Sequence, residues 1–207
     1  SSGKLTPRIF DKKKNPAERD DVVIMIDVDE SASMGGEKSK AARNACIAFS
    51  EVFARLKIPI YIMGFTTGRS DADAVHYHYL TWLNTRQERM KLLNIKGRDC
   101  NFDSYSIRYS AEILNKKSAA HKLMVVISDG TPSAKNYRQL GVNGVTDTRD
   151  VIRETRKFSS VLGVAVGTCD ADAIHFIYGN DFIHIDNVDE LFSKVSKKLQ
   201  QIIKNWE

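Results

Sequence analysis

Four short apolar runs restrict the possible folds of this chain more than any other feature of its sequence. Each run is nearly continuous, which is typical of a β-strand buried on both faces; the four are Val22–Val28, Ile58–Phe65, Lys122–Ser128 and Val161–Gly167. The stretch from Glu37 to Leu56 instead has an apolar residue every three or four positions, as on one face of a helix. Strands that alternate with helices predict an α/β domain with a doubly wound, Rossmann-like, mostly parallel sheet and helices on both faces.

Weaker patterns fill the intervals between these runs. Alternation over residues 74–82 predicts a further strand at an edge of the sheet, and residues 182–185 predict a short one. Helical spacing recurs in several other segments, which are 86–94, 104–115, 148–159, 171–178 and 188–204. Residues 131–148 form a connection longer than most, and loops of that length are usually functional or mobile.

The composition excludes several classes of protein. Of the 207 residues, 42% are hydrophobic and 28% are charged, as in a globular domain rather than a disordered chain. No apolar run approaches the roughly 18–20 residues that a membrane span needs. The net charge of +5 is too mild to indicate a nucleic-acid partner. We therefore expect a soluble domain with neither a membrane nor a nucleic-acid partner.

The cysteines predict the cellular location of the protein, and the charge distribution predicts where its domain begins. Cys46, Cys100 and Cys169 contain no C-x-x-C pair, which argues against a disulfide scaffold or a zinc ribbon. We expect reduced thiols and a cytoplasmic location. Residues 1–20 are rich in lysine and arginine and predict a basic lead-in or linker, whereas residues 21–207 predict one domain.

The end of the first predicted strand carries a pattern of oxygen-bearing side chains. Asp29, Ser31 and Ser33 stand at alternate positions and fit D-x-S-x-S. One carboxylate and two hydroxyls at this spacing can turn three oxygens toward one point as the chain leaves the strand. Hard divalent cations prefer oxygen ligands, and Mg²⁺ in particular accepts few protein ligands and keeps waters. The pattern therefore predicts a site for Mg²⁺, or for Mn²⁺ or Ca²⁺.

Two other predicted loops reach the same edge of the sheet. In doubly wound sheets, ligands bind where the carboxyl ends of the central strands meet loops. Asp129 ends another predicted strand and can add a second carboxylate. Asn101 or Asp103 can add a third contribution from the start of the following helix. We therefore include these three residues in the predicted metal site.

These motifs resemble the von Willebrand factor A (VWA) domain, whose metal-ion-dependent adhesion site (MIDAS) has the D-x-S-x-S signature. More narrowly, the chain resembles the C-terminal VWA domain of the cobalt-chelatase accessory subunit (CobT) and the related nitric-oxide-reductase activation proteins. The resemblance extends over residues 8–205 and depends on four segments in the family's order, which are Ile24–Met34, Gly64–Thr67, Asn101–Ser104 and Ile127–Pro132. It implies the VWA fold over residues 21–207, with one antiparallel edge strand.

The resemblance also implies roles for individual residues. It assigns the D-x-S-x-S residues to the first metal loop and Asp129 to the third. The second loop of the family usually offers a threonine, where this chain has Asn101, with Asp103 two residues later. Two glycines of the family pattern are also replaced, by Ala32 and Ser104.

Asp27 is an additional acid before the first motif, and it should share a face of the strand with Asp29. One of the two carboxylates would bind the metal while the other hydrogen-bonds a metal ligand. The Asp27-Val28-Asp29 segment also resembles the D-x-D motif of haloacid-dehalogenase-type phosphatases, in which the first Asp attacks phosphorus and the second is the general acid/base. The sequence shows neither their paired-acid fourth motif nor their cap insertion, which disfavours this alternative.

The resemblance to VWA domains implies a binding module and not an enzyme. In such a domain the metal keeps an open coordination position that captures an acidic side chain of a partner protein. For this branch of the family the implied partners are AAA+ ATPases of the chelatase or MoxR type, with the VWA domain as adaptor. A third possibility is a VWA domain that keeps the fold and binds partners without metal, because its first motif departs from the usual one.

Overall fold

The predicted strands and helices are present in the computed structural model. The structure describes residues 22–68, 73–130, 132–139 and 141–204, and at positions 136 and 139 it describes the backbone alone. The strands are β1 (Val22–Asp29), β2 (Ile60–Thr67), β3 (Ala74–Leu80), β4 (His121–Ser128), β5 (Ser160–Val166) and β6 (Phe182–Ile185). The helices are α1 (Glu37–Leu56), α2 (Arg86–Lys91), α3 (Asp103–Lys116), α4 (Lys135–Gln139), α5 (Gly144–Thr155), α6 (Ala171–Tyr178) and α7 (Leu191–Lys204). The predicted lead-in of residues 1–20 lies outside the described residues.

The strands form one six-stranded sheet in the order β3-β2-β1-β4-β5-β6. All neighbouring pairs are parallel except β2 and β3, which are antiparallel. The predicted fold class is confirmed, including the antiparallel edge strand. β1 and β4 are neighbours in the middle of the sheet, with Val28 opposite Ile127. The loops that follow these two strands therefore start side by side.

The sheet is buried on both faces, as its apolar runs predict. Ile24 and Ile26 of β1 pack in one cluster with residues of α1 and α7, whereas Val23 and Met25 pack with residues of α3, α5 and α6. All four side chains are fully buried, and each contributes about 1.5–3 kcal/mol through the hydrophobic effect. Because side chains alternate along a strand, the odd-numbered positions of β1 face the α3 side up to the end of the strand.

The connection predicted over residues 131–148 is partly helical. α4 occupies its middle, and α5 begins at Gly144 rather than at residue 148. The side-chain oxygen of Asn143 caps α5 by accepting hydrogen bonds from the amides of Val145 at 3.0 Å and Thr146 at 3.2 Å. The apolar periodicity missed both features, because α4 is very short and a glycine opens α5.

Two histidines of β3 hold α3 against the edge of the sheet. The ring of His76 stacks on Tyr109 with centroids 4.5 Å apart, and its Nε2 is 3.2 Å from the hydroxyl of Ser106. Nδ1 of His78 is 2.8 Å from the hydroxyl of Tyr61. Burial lowers the pKa of both rings, that of His76 to about 4 with a further contribution from His78. The two rings are therefore neutral packing groups at pH 7.

The described helices include none that is long and apolar enough to cross a membrane. The described residues contain no disulfide, and of the three cysteines Cys46 is buried while Cys100 and Cys169 are partly exposed. Burial raises the pKa of the Cys46 thiol to about 12, so this residue packs in the core as a small apolar side chain.

Candidate metal site

Asp29 is the last residue of β1, and hydrogen bonds hold both of its carboxylate oxygens. Ser31 donates its backbone N–H to Oδ1 at 2.7 Å, and Ser128 at the end of β4 donates its hydroxyl to Oδ2 at 2.8 Å. Asp29 is only 1% exposed; burial raises its pKa, while these hydrogen bonds act in the opposite direction. The carboxylate is thus fixed in orientation where β1 and β4 end.

Ser31 and Ser33 connect the first loop to Asp129, which follows β4. Their hydroxyl oxygens are 3.0 Å apart, and the Ser33 hydroxyl donates to Asp129 Oδ1 at 2.8 Å. A single 3₁₀ turn over Ala32–Met34 carries Ser33 back toward Ser31. The structure therefore brings the residues of the D-x-S-x-S motif together with Asp129 at the carboxyl end of the sheet.

The second loop offers two candidate ligands with different surroundings. Asp103 opens α3, is 3% exposed, and its Oδ2 has no hydrogen-bond partner among the described residues. Its pKa is raised well above its ordinary range, first by burial and then by the charges of Asp29 and Asp129. Asn101 Oδ1 instead accepts a hydrogen bond from the Ser133 hydroxyl at 2.7 Å. Asp103 therefore lies with the other acids, whereas the side-chain oxygen of Asn101 faces Ser133.

Two threonines at the end of β2 position the second loop. Thr66 donates its hydroxyl to the carbonyl of Cys100 at 2.9 Å and accepts from the amide of Asp99 at 3.2 Å. The Thr67 hydroxyl accepts from the amide of Cys100 at 3.1 Å, and the Thr67 amide donates to the Cys100 carbonyl at 2.8 Å. β2 continues to Thr67, beyond its predicted end at Phe65. These bonds fix the backbone just before the two candidate ligands of the second loop.

Glu30 and Arg98 form an ion pair that sequence reasoning missed. Glu30 is fully buried, and Arg98 donates its Nε to Glu30 Oε2 at 2.5 Å and its backbone N–H to the Glu30 carbonyl at 2.7 Å. A buried carboxylate without a partner is costly, so the pair ties the first loop to the segment that leads into the second. The signal in the sequence is a charged residue soon after an apolar strand, but no local pattern identifies its partner.

Gly64 of β2 leaves the space that the Glu30 carboxylate occupies. A Cβ atom at position 64 would lie 2.0 Å from Glu30 Oε1 and 2.8 Å from Cε2 of Tyr79. Neither neighbour can move aside easily, because Tyr79 is buried and Glu30 is bound to Arg98. A close approach of side chains, and not an unusual backbone angle, therefore requires the glycine.

Lys38 supplies a positive charge to the same edge of the sheet. It stands in the first turn of α1, and its ammonium group forms an ion pair with Asp129 Oδ2. The aliphatic part of the side chain passes Gly167, where an added Cβ would lie 2.8 Å from Lys38 Cε. Sequence reasoning gave Lys38 no role; the available signal is a basic residue in the first turn of a helix, where the helix dipole favours acids.

The oxygen donors at this edge suit a hard cation. Within the described ranges, no three His, Cys, Asp or Glu side chains are close enough together to hold a metal ion by themselves. A cation here would depend on the hydroxyls of Ser31 and Ser33 and on water as well. Mg²⁺ accepts such an incomplete set, because it usually keeps several waters. The unpartnered Oδ2 of Asp103 adds a carboxylate oxygen that a cation would satisfy. The residues present thus fit the ion that the sequence predicts.

Asp27 lies deeper in the domain than the other acids. It is fully buried, and its Oδ1 accepts the hydroxyl of Ser110 at 2.8 Å, so its hydrogen bond goes to α3 and not to a candidate ligand. Asp27 packs on the same face of β1 as Asp29, as predicted. Burial raises the pKa of Asp27 to about 8. An enclosed carboxyl that is protonated at neutral pH is poorly suited to attack phosphorus, as the phosphatase alternative requires.

We expect Gly64→Ala to destabilise the domain by about 2–4 kcal/mol, because the methyl group would push the Glu30 carboxylate away from Arg98. Urea denaturation measures the free energy of unfolding. Gly130→Ala is the matched control, since a Cβ there meets no atom within 4 Å, and it should change stability by less than about 0.5 kcal/mol. Equal stability of the two variants would contradict the proposed close contact.

Comparisons with known proteins agree with this fold. The chain is 29% identical over 198 residues to the uncharacterized protein YojO of Bacillus subtilis (strain 168), a match that includes 89% of this chain and only 30% of that relative. Among solved structures, the pilus adhesin SpaC from Lactobacillus rhamnosus GG matches with a TM-score of 0.68 and 13% identity, over 88% of this chain and 31% of that one. The vWF domain of the type V pili tip protein Mfa5 from Porphyromonas gingivalis matches with a TM-score of 0.65 and 10% identity, over 88% and 95% of the chains. At such identities the structural likeness shows the fold alone.

A family profile gives a narrower result. The profile described as "Cobalamin biosynthesis protein CobT VWA domain" matches residues 9–96 and 81–205. The match starts before residue 21, where the sequence predicts the domain to begin, and it includes all the strands described above. The chain therefore belongs to the family of CobT VWA domains.

Proposed function

We propose that this domain is a metal-dependent protein-binding module. The observation that carries the proposal is the chain of oxygens from Ser31 through Ser33 to Asp129, with Asp29 and Asp103 beside it. A divalent cation held here with an open coordination position would bind a carboxylate of a partner protein. Mg²⁺ is the ion we favour, with Mn²⁺ or Ca²⁺ as alternatives that share its preference for oxygen.

The proposed ligands differ in what they contribute. Ser31 and Ser33 would contact the ion through neutral hydroxyls, which leaves the ion enough positive charge to attract a further carboxylate. Asp29 and Asp129 would balance the charge of the ion and orient its waters. Their surroundings support this division, because both carboxylates already accept hydrogen bonds from serine side chains that fix their orientation.

For the second loop we propose Asp103 as the ligand in preference to Asn101. The charges of the other two acids raise the pKa of Asp103, and one of its oxygens has no partner among the described residues. The side-chain oxygen of Asn101 instead accepts a hydrogen bond from Ser133. Asn101 would then act by holding the third loop beside the second. Asp27, which we predicted as a support for a ligand, would act through α3 by its bond to Ser110.

The partner we propose is an AAA+ ATPase of the chelatase or MoxR type, with this domain as its adaptor. Membership of the CobT VWA family supports this choice. The burial of Asp27 supports a binding role over phosphatase chemistry, because the nucleophile of that alternative is enclosed.

Mg²⁺ should bind the wild-type domain in calorimetry and raise its thermal stability. At ten times its dissociation constant, the ion should add about 1.4 kcal/mol to the free energy of unfolding. Asp29→Ala and the milder Ser33→Ala should weaken or abolish both effects, whereas Asp172→Ala, which removes an exposed acid of α6, should keep them. The site assignment fails if wild type and Asp29→Ala respond alike to Mg²⁺.

A second pair of variants within the same experiment separates the two candidates of the second loop. Asp103→Asn removes the charge but keeps the shape, and it should weaken Mg²⁺ binding by about tenfold or more. Asn101→Ala should lower the stability of the domain with little effect on Mg²⁺ affinity, because its oxygen is used by Ser133. The reverse pattern would assign the ligand to Asn101.

Lys38→Met should tighten Mg²⁺ binding by about tenfold, since it removes a positive charge that competes with the ion for Asp129. Calorimetry at low ionic strength measures the dissociation constant. Lys40→Met is the matched control on the same helix, because Lys40 pairs with the exposed Glu37 instead. Unchanged or weaker binding by Lys38→Met would show that Lys38 supports the site and does not compete with the cation.

An AAA+ ATPase of the MoxR or chelatase type encoded beside this gene should bind the protein in the presence of Mg²⁺ and be released by EDTA. Surface plasmon resonance with immobilised ATPase measures the affinity in both conditions. Ser33→Ala should reduce Mg²⁺-dependent binding, because it removes a ligand at an exposed position of the site. Binding that is equally strong in EDTA would instead favour a VWA domain that recognises its partner without metal.

A further inference from the structure

A groove of about 730 Å³ runs beside β3, and none of the proposed metal ligands lines it. β3 pairs with β2 along one side, and on its other side the described residues place no strand. Four consecutive residues of β3, His76 to Tyr79, line the groove. Since side chains of a strand alternate between its two faces, a cavity that all four residues line must border the free backbone edge of β3.

The groove is strongly basic. Arg43, Lys91, Lys96 and Arg98 line it, and no acid among the described residues does. The charge of Arg98 is offset by buried Glu30. Arg43 makes a long contact of 3.5 Å with the backbone carbonyl of Ile95, and both lysines are exposed. At least three positive charges are therefore directed at whatever occupies the groove.

We propose that this groove binds an extended acidic segment of a partner protein, which adds as a further strand to the edge of β3. Backbone hydrogen bonds to β3 would supply affinity, and the acidic side chains on the α2 side of the added strand would meet Lys91, Lys96 and Arg43. Leu93, which also lines the groove and is 53% exposed, would cover part of the backbone of the bound segment.

Charge disfavours two other strands that might pair here, and the state of the aromatic rings disfavours a nucleic acid. Residues 1–20 of this chain carry six lysines and arginines against three acids, so the basic groove would repel them. Pairing of β3 with β3 of a second copy would bring two basic grooves together. A single-stranded nucleic acid needs open aromatic faces for its bases, but Arg98 lies 4.1 Å over the ring of Tyr77 and Tyr79 is 4% exposed.

Fluorescence anisotropy with a labelled peptide of alternating Glu and Thr, about ten residues long, tests the proposal at low salt. The wild-type chain should bind the peptide, and Lys91→Glu/Lys96→Glu should weaken binding by about tenfold or more. Lys197→Glu/Lys198→Glu is the matched control, because it changes the same charge at a second basic groove beside β6. An equal loss in both double variants would show non-specific attraction and overturn the proposal.

Two further comparisons test the strand pairing and the class of ligand. A peptide in which every Thr is replaced by Pro has no backbone N–H group at every second position and should lose most of its affinity. Bound peptide should slow amide hydrogen exchange in residues 74–80. EDTA should not affect binding, which separates this groove from the proposed metal site. Equal affinity of the Pro peptide, or stronger binding of an oligo-dT of the same charge, would contradict the proposal.

Discussion

Three carboxyl groups, of Asp29, Asp103 and Asp129, are buried at one edge of the sheet within reach of one another's charges, and the surrounding structure compensates for this unfavourable arrangement. Burial penalises a carboxylate by several kcal/mol, and like charges nearby add to that penalty. Hydrogen bonds from Ser31 and Ser128 to its two oxygens stabilise the charge of Asp29. A hydrogen bond from Ser33 and an ion pair with Lys38 stabilise that of Asp129. Asp103 keeps one oxygen without a partner among the described residues. Its need for a proton or a cation is the physical reason for the metal site that we propose at this edge of the sheet.

Such a cluster can exist only on a rigid support, because small displacements would let the carboxylates separate into water. The order of strands puts β1 and β4 side by side, so that Ser128 reaches Asp29 directly. The second loop has no regular structure of its own before α3, and its backbone is held by the hydroxyls of Thr66 and Thr67 and by the Thr67 amide. All three loops are thus attached to strands of the central sheet by short polar contacts.

The fold was predictable because its information is local. The apolar runs of β1 and β4 and the periodicity of α1 can be recognised within windows of a few residues. The same holds for Asp29, Ser31 and Ser33, whose meeting with Asp129 follows from parallel strands that end at one edge. The choice between Asn101 and Asp103 could not be made, since it depends on where Ser133 lies.

The ion pairs that stabilise the loops were not predictable from the sequence, because each joins residues that are far apart in the chain. Glu30 and Arg98 are far apart in the sequence, as are Lys38 and Asp129, and no periodicity connects their positions. α4 and the first turn of α5 were missed because a short helix and a glycine give no apolar pattern. A metal ion at the site stays a prediction from the ligand chemistry, which the geometry of the serines and acids supports.

The contact between Gly64 and Glu30 has a consequence for how this family can diverge. The missing side chain at position 64 is useful only while an acid occupies position 30, and that acid is tolerable only while Arg98 neutralises it. The residues at positions 30, 64 and 98 should therefore be kept or replaced together during evolution. A descendant that acquires a methyl group at 64 should also have given up the acid and its arginine, so an alignment of many relatives would show joint substitution at three places distant in sequence. Such a record would reveal the attachment between the first two loops without a structure.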